Sequence, residues 1–460
     1  MKQSRWQHDL MLRGIKAISV VLTAGAFAGC WYGYYGKEIV SPFFAKGDVA
    51  VILIYTILFL VFSQVYDAFQ ISMVRVGEVA YSQILAIGLS DLVIYIIICL
   101  LSKKMPWLIP GLLCFFAQAL FAIGWAYMAN RMYYSLFQAK KTLIIHDVRE
   151  GMDRLIEEYN LAKKFDVVKV IDVQESLDDL SVLDEVEVVF FSGIHSHERN
   201  IILKKCVEND IRSFVIPRIG DVIMSSARRM HMFHLPVLRV ERYHPSLEFL
   251  AIKRAMDILV SAFALVVLSP IMLATSIAIK ATDGGPILYK QNRLTKDGKV
   301  FKVMKFRSMR VDAEKDGVAR LSTGDKDNRI TPIGRFIRKV RIDELPQLLN
   351  ILKGDMSLIG PRPERPEIAA QYEKEMPEFR LRLQAKAGLT GYAQIYGKYN
   401  TTPYDKLQMD LMYIANPSLF EELSILLATV KILFLPESTE GIAEGQTTAM
   451  GSSGVKKGKA

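Results

Sequence analysis

Four apolar segments in the first third of the chain, residues 15–35, 49–69, 82–101 and 107–128, constrain its fold more than any other feature. Each is close to the ~20 residues a helix needs to cross a bilayer, and within lipid only a helix or a closed barrel satisfies every backbone polar group. Residues 1–140 are therefore expected to form a four-helix transmembrane domain. Lys2, Arg5, Arg13 and Lys16 precede or open the first segment, and Arg131, Lys140 and Lys141 follow the fourth, which places both ends on the cytoplasmic side. Lys103 and Lys104, in a short outer loop, count weakly against that orientation. No small-residue cleavage pattern follows the first segment, so it reads as a retained helix and not a removable signal. Asp91 sits inside the third segment, either bonding one helix to another or serving a function there.

The remaining length of the 460-residue chain leaves room for one or two further domains. A net charge of +10 suits an anionic membrane surface, phosphorylated substrates or nucleic acid. The four cysteines show no metal-ligand spacing, which argues against a zinc site or a disulfide framework.

After Lys141, short β-branched runs at residues 142–146, 167–173, 186–192 and 214–217 alternate with helical stretches at 151–159 and 198–209. This βαβ series predicts a small parallel sheet over residues 141–245. The first strand leads into His146-Asp147-Val148-Arg149-Glu150-Gly151, with no G-x-G-x-x-G turn, so a scaffold or regulatory role without nucleotide is expected. His195 and His197 read as loop residues.

A fifth apolar segment, residues 255–280, carries Ser269-Pro270 near its middle and basic residues on both flanks. Proline inside a helix removes a donor and clashes with the preceding turn, so a sharp bend is expected. Its two readings are a re-entrant hairpin whose ends share one membrane face and a kinked spanning helix. The strip that follows, from Lys290 to Arg310, is strongly cationic, and strand alternation sets Lys305 and Arg307 on one face, where they could grip a diphosphate or lipid phosphate. Thr331-Pro332 then opens an amphipathic helix with Ile333, Phe336, Ile337 and Val340 on one face and Arg335, Arg338, Lys339 and Arg341 on the other. That helix delivers the chain to Asp343-Glu344. Asp343 reads as an N-cap, which the helix dipole would keep anionic. An isolated pair of this kind is an ordinary cap, or an anionic oxygen available as nucleophile or metal ligand. Residues 418–435 read as a helix lying on the membrane, and 436–460 as a disordered tail.

Three blocks, KFRSM at 305–309, IDELPQLLNILKGDMSLIGPRP at 342–363 and AGLTGYAQIYGKYNT at 387–401, follow a membrane segment broken at Ser-Pro. In this order they resemble the bacterial sugar transferase family, the monotopic phosphoglycosyl transferases, over about residues 250–435. The front half is similar to the long members of that family. The resemblance implies an α-helical membrane bundle, a degenerate Rossmann-like α/β domain over 141–245, and a mixed, mostly α catalytic domain over 246–435 with a re-entrant helix. It implies transfer of a hexose-1-phosphate from a UDP-sugar to undecaprenyl phosphate, with UMP released, as the first membrane step of exopolysaccharide, capsule or O-antigen assembly. It further implies Asp343 as the nucleophile forming an aspartyl-phosphosugar, Glu344 as its partner, and Mg²⁺ at the two carboxylates. Lys305, Arg307, Arg341 and Arg362 become the candidates for holding phosphate, and Tyr392 and Gln394 for the nucleotide sugar. Tyr392 departs from the family, where many members have Trp. Ser269 and Pro270 mark the re-entrant break. The expected setting is the bacterial inner membrane with the catalytic domain on the cytoplasmic face, a lipid bilayer and not nucleic acid as partner, and an assembly compatible with a homodimer. Glucose and galactose lead an N-acetylated amino sugar as the hexose, and no motif specifies it. Two rival classes are a membrane-anchored binding protein and a glycosyltransferase that passes on the sugar alone and releases UDP.

Overall fold

The computed structural model describes residues 5–149, 151–311, 313, 327, 329–397 and 401–433. The expected tail at 436–460 lies outside them. The chain divides into two compact units at Ile216/Pro217.

The first unit opens with helices α1 (Arg5–Cys30), α2 (Ala45–Val65), α3 (Val76–Leu101) and α4 (Leu108–Leu136). All four are long and apolar enough to cross a membrane. Their lipid-type surface stays outside while a few polar groups bond across the bundle. Gln118 on α4 donates to the Thr23 carbonyl at 3.0 Å and the Tyr55 hydroxyl at 2.8 Å, which ties three helices together. Trp125 donates to the Ile15 carbonyl at 2.8 Å.

The α/β part contains β1 (Lys140–His146), α5 (Met152–Glu158), β2 (Phe165–Asp172), α6 (Val173–Asp178), β3 (Val188–Ser192), α7 (Ser196–Glu208) and β4 (Arg212–Val215). The four strands pair in parallel in the order β2-β1-β3-β4, the sheet the βαβ pattern predicted. Leu143, Ile145, Val189 and Phe191 are fully buried in one cluster and Ile144, Val188 and Phe190 in another, so both faces of the central strands are covered. Lys164, beside this sheet, donates to Ser72 Oγ of the bundle at 3.1 Å.

The second unit begins with α8 (Ile219–Ser225) and the hairpin β5 (Arg228–Met232) and β6 (Leu235–Arg239). Ile219 and Val222 join the large apolar core of this unit. Helix α9 (Leu247–Asp283) follows, with Pro270 inside it. Next come the antiparallel pair β7 (Leu288–Leu294) and β8 (Val300–Phe306), then α10 (Pro332–Lys339), α11 (Gln347–Lys353) and β9 (Ser357–Ile359). The unit closes with α12 (Pro366–Glu375), β10 (Gly388–Thr390), α13 (Tyr392–Ile395), α14 (Pro403–Ala415) and α15 (Leu419–Leu433).

Both ends of α9 meet the same small region. Arg254 donates to the carbonyls of Ile351 and Leu352, at 2.7 and 2.8 Å, at the C-terminus of α11. Ile279, near the other end, packs with Phe306 and Ile337, against which Leu345 also rests. Both ends of the helix are therefore held by this one unit. Its outermost residues, Phe263, Val266 and Val267, expose large apolar surfaces around Ser269-Pro270.

Strands β9 and β10 pair in parallel at the centre of the core. Their approach needs glycine: a Cβ on Gly388 would lie 2.1 Å from the Gly360 nitrogen and 2.5 Å from its oxygen. Gly388→Ala should therefore cost roughly 1–3 kcal/mol by overpacking, read as a lowered thermal midpoint of the detergent-purified chain. An unchanged midpoint would show that this close approach is dispensable.

Candidate active site

The site grows from three short connections. After α10, Arg341 takes a left-handed backbone conformation (φ 55°), rare for a bulky residue, and turns the chain into a single 3-10 turn, Ile342–Glu344. Helix α11 begins only at Gln347, with Pro346 in the capping position. Asp343 is therefore not a helix cap, as the sequence suggested, and its ionisation is set by neighbouring side chains and burial instead of by a helix dipole.

Glu344 is the hub. Lys305 Nζ donates to its Oε1 at 2.8 Å, Arg362 Nη2 donates to the same oxygen at 3.0 Å, and Arg341 Nη1 stands 3.9 Å from Oε2. Burial by itself pushes the Glu344 carboxyl up, but Lys305, Arg362 and Arg341 outweigh it and hold the group well below the ordinary carboxylate range. Asp343, 9% exposed, moves the other way. Burial, offset only in part by Lys305, Arg338 and Arg362 and reinforced by the charge on Glu344, pushes it up to about 6. Two adjacent carboxylates thus have different protonation behaviour because only one of them is gripped by cations. Four cations, Lys305, Arg338, Arg341 and Arg362, stand around the two, so the site carries net positive charge.

Three of the four expected phosphate-holding residues, Lys305, Arg341 and Arg362, do converge on the dyad. Arg307 takes another post. It lies past the end of β8, 7% exposed, where its Nε donates to the Pro286 carbonyl at 2.7 Å and its guanidinium packs against Gly285 at the exit of α9. Its N–H still donates to the Ile287 carbonyl at 2.9 Å, continuing the β7–β8 pairing one residue past Phe306.

The supporting residues went unread in the sequence. Buried Asn350 on α11 accepts from the Met304 N–H at 3.0 Å and donates to the Lys302 carbonyl at 2.9 Å, which fixes β8 and hence Lys305. Its only signal is a polar residue within the apolar run LLNIL. Buried Arg382 donates to the Arg362 carbonyl at 2.8 Å and pairs with Asp410 on α14 at 2.7 Å. Arg293 donates to the Pro363 carbonyl at 3.0 Å. The elbow that presents Arg362 is held from two sides. Asp410 is 1% exposed, and burial pushes its carboxyl up to about 6 despite Arg382. Asp355 serves structure, its backbone carbonyl accepting from Thr295 Oγ1 at 3.0 Å.

Apolar residues of α10 divide. Ile337 turns inward onto Ile279 and Phe306, while Phe336 and Val340 remain exposed beside Arg335 and Lys339. Tyr392 and Gln394 share the single turn α13, directly after β10. The Tyr392 ring lies 5.0 Å from that of Tyr396. Gln394, two positions on, points roughly 200° away around the turn.

Among the described residues no group of three or more His, Cys, Asp and Glu could enclose a metal. Two adjacent carboxylates do fit Mg²⁺, which is commonly held by one or two carboxylates together with substrate phosphates and water.

Known proteins bear on this arrangement. The model of the bacterial sugar transferase family matches residues 248–436. A UDP-N-acetylgalactosamine-undecaprenyl-phosphate N-acetylgalactosaminephosphotransferase of Aeromonas hydrophila is 38% identical over 234 residues, covering 50% of this chain and 54% of that protein. A UDP-glucose:undecaprenyl-phosphate glucose-1-phosphate transferase of Caulobacter vibrioides is 38% identical over 191 residues, covering 40% of this chain and 71% of its own. The exopolysaccharide production protein PSS of Rhizobium leguminosarum is 42% identical over 190 residues, 39% of this chain and 94% of its own length. The match thus spans about half of the Aeromonas relative and nearly all of the Rhizobium one, and it falls on the unit that carries the dyad. The chain belongs to the bacterial sugar transferase family.

Proposed function

We propose that this protein transfers a hexose-1-phosphate from a UDP-sugar to undecaprenyl phosphate, releasing UMP, as the first membrane step in building an exopolysaccharide, capsule or O-antigen. The observation that carries this reading is the buried dyad, a carboxylate with a raised pKa next to one locked ionised by three cations. An Asp343 carboxylate oxygen attacks the phosphorus that bears the hexose, the bond from that phosphorus to the bridging oxygen breaks, and UMP departs with the electron pair. An oxygen of undecaprenyl phosphate then attacks the same phosphorus, the bond to Asp343 breaks, and the carboxylate is restored. Lys305, Arg341 and Arg362 are placed to shift from Glu344 to substrate oxygens as charge builds. Asp343 and Glu344 would hold Mg²⁺, which would neutralise charge on the diphosphate.

The same reading covers the surroundings. Helix α9 would dip into the cytoplasmic leaflet as a re-entrant hairpin with Ser269-Pro270 at its turn, a reading supported by the contacts of both its ends within one unit and by the exposed Phe263, Val266 and Val267 before that turn. Phe336, Val340 and α15 would rest at the lipid surface, where a lipid phosphate could reach the dyad. The parallel α/β domain would act as a Rossmann-like scaffold, and a homodimer is the assembly to look for.

A panel of UDP-sugars, including glucose, galactose and N-acetylated forms, with undecaprenyl phosphate and Mg²⁺ should release UMP for at least one. Release of UDP would identify a sugar-only transferase instead. Asp343→Asn should lower turnover at least ~1,000-fold. It should also raise thermal stability. The folded pKa of Asp343 lies above its ordinary value of 3.8, so the ionised form costs stability near neutral pH and removing the charge should return on the order of 1–3 kcal/mol. Retained activity at normal protein level would refute the nucleophile. Because Asp343 must be ionised to attack, kcat/KM should climb with pH and level off above about 6, and a profile flat from about pH 5 to about pH 7 would contradict that assignment.

A further inference from the structure

Cys30, the last residue of α1, and Cys114, near the start of α4, carry free thiols and are half-buried. The two helices run antiparallel, and hydrogen bonds between them fix the register. Trp125 donates to the Ile15 carbonyl and Gln118 to the Thr23 carbonyl. Just past α1, the Tyr35 hydroxyl donates to the Trp107 carbonyl at 3.0 Å and accepts from the Gly111 N–H at 2.9 Å. Each step forward along α1 is thus matched by a step back along α4. Cys30 falls between the Thr23 and Tyr35 contacts, and Cys114 falls between Gln118 and Gly111, so the register sets the two cysteines opposite one another.

The side chains follow that register. Cys30 Sγ donates to the Pro110 carbonyl at 3.6 Å, and Pro110 stands one helical turn before Cys114 on the same face of α4. The Cys30 and Cys114 side chains also hydrogen-bond to each other. From Cys114 to the end of α4 at Leu136 the helix rises roughly 33 Å, about the depth of a bilayer's hydrocarbon core. The pair therefore lies at the end of the bundle away from the connection to β1.

We propose that Cys30 and Cys114 form a reversible dithiol–disulfide site, which staples α1 to α4 when a disulfide oxidant reaches this end of the bundle. The inference is independent of the transfer reaction proposed above. The thiolate of one cysteine attacks the external disulfide, which forms a mixed disulfide and releases one external thiol. The thiolate of the other cysteine then attacks the protein sulfur of that mixed disulfide, the bond to the external sulfur breaks, and a second thiol leaves. Two protein thiols are oxidised, one external disulfide is reduced, and both protons end on the released thiols. The closed loop holds all of α2 and α3, so the bridge restricts the unfolded chain. The flanking charges favour the outer face for this end, where thiols are not kept reduced as they are in the cytosol.

The full chain in membrane vesicles is treated with dipyridyl disulfide and digested with trypsin without reductant. Cleavage at Lys16, Lys37, Lys104 and Arg131 leaves Cys30 and Cys114 on separate peptides. Mass spectrometry should find these two peptides joined in most chains, lighter by the two hydrogens lost, and dithiothreitol should separate them. The bridged chain, purified in detergent, should unfold about 5 °C above the reduced one, and reduction should restore the lower midpoint. Cys30→Ala should lose both the joined peptides and the shift, keeping a pyridyl mixed disulfide at Cys114. If that variant does not fold, Cys114→Ala supplies the same control with the adduct at Cys30. Lasting pyridyl adducts at both positions of the parent, unmodified thiols, or a bridge from either cysteine to Cys99 would overturn the site. An unchanged midpoint in the bridged chain would overturn the staple.

Discussion

Charge compensation at Glu344 is the interaction on which the rest of the site depends. A carboxylate this deeply buried stays ionised only when cations and hydrogen bonds replace the water it has lost. Lys305 comes from a strand, Arg341 from a strained turn and Arg362 from a proline-bounded elbow, so one carboxylate gathers three separate parts of the chain. Asp343, next to it, lies in the same field, and burial still pushes its carboxyl up to about 6. The difference between adjacent acids suits one to a fixed counter-ion and the other to the nucleophilic role proposed for it.

That arrangement is built around α9. Asp257 accepts from Ser357 Oγ at 3.1 Å and from the Leu358 N–H at 2.9 Å, and Lys253 pairs with buried Glu422 while donating to the Ile359 carbonyl at 3.0 Å. Arg254 closes the C-terminus of α11, so the helix that follows the dyad is fixed to the apolar helix before it. The polar groups sit at one end of α9 and the exposed apolar ones around its proline. One element thus joins a protein-bound foot to an exposed apolar stretch.

Much of this was legible along the chain. Periodicity marked the four bundle helices and the parallel strands, because a bilayer and a two-faced sheet each impose a run length that composition must obey. The motif blocks pointed to Asp343, Glu344, Lys305, Arg341 and Arg362. Asp343 was put at a helix cap because the helical pattern was extended back before the start of α11 at Gln347. Asn350, Asp257, Arg382 and Asp410 were missed because each is a polar residue whose partner lies far away in sequence.

Sequence by itself therefore determined the elements, the apolar segments and the residue types of the site, since these follow from spacing along one chain. Tertiary structure alone decided which cation grips which carboxylate, and that Glu344 and not Asp343 is locked ionised. Those outcomes depend on burial and on distances between segments dozens of residues apart. A carboxylate's ionisation is fixed by whatever packing brings within a few ångströms of it.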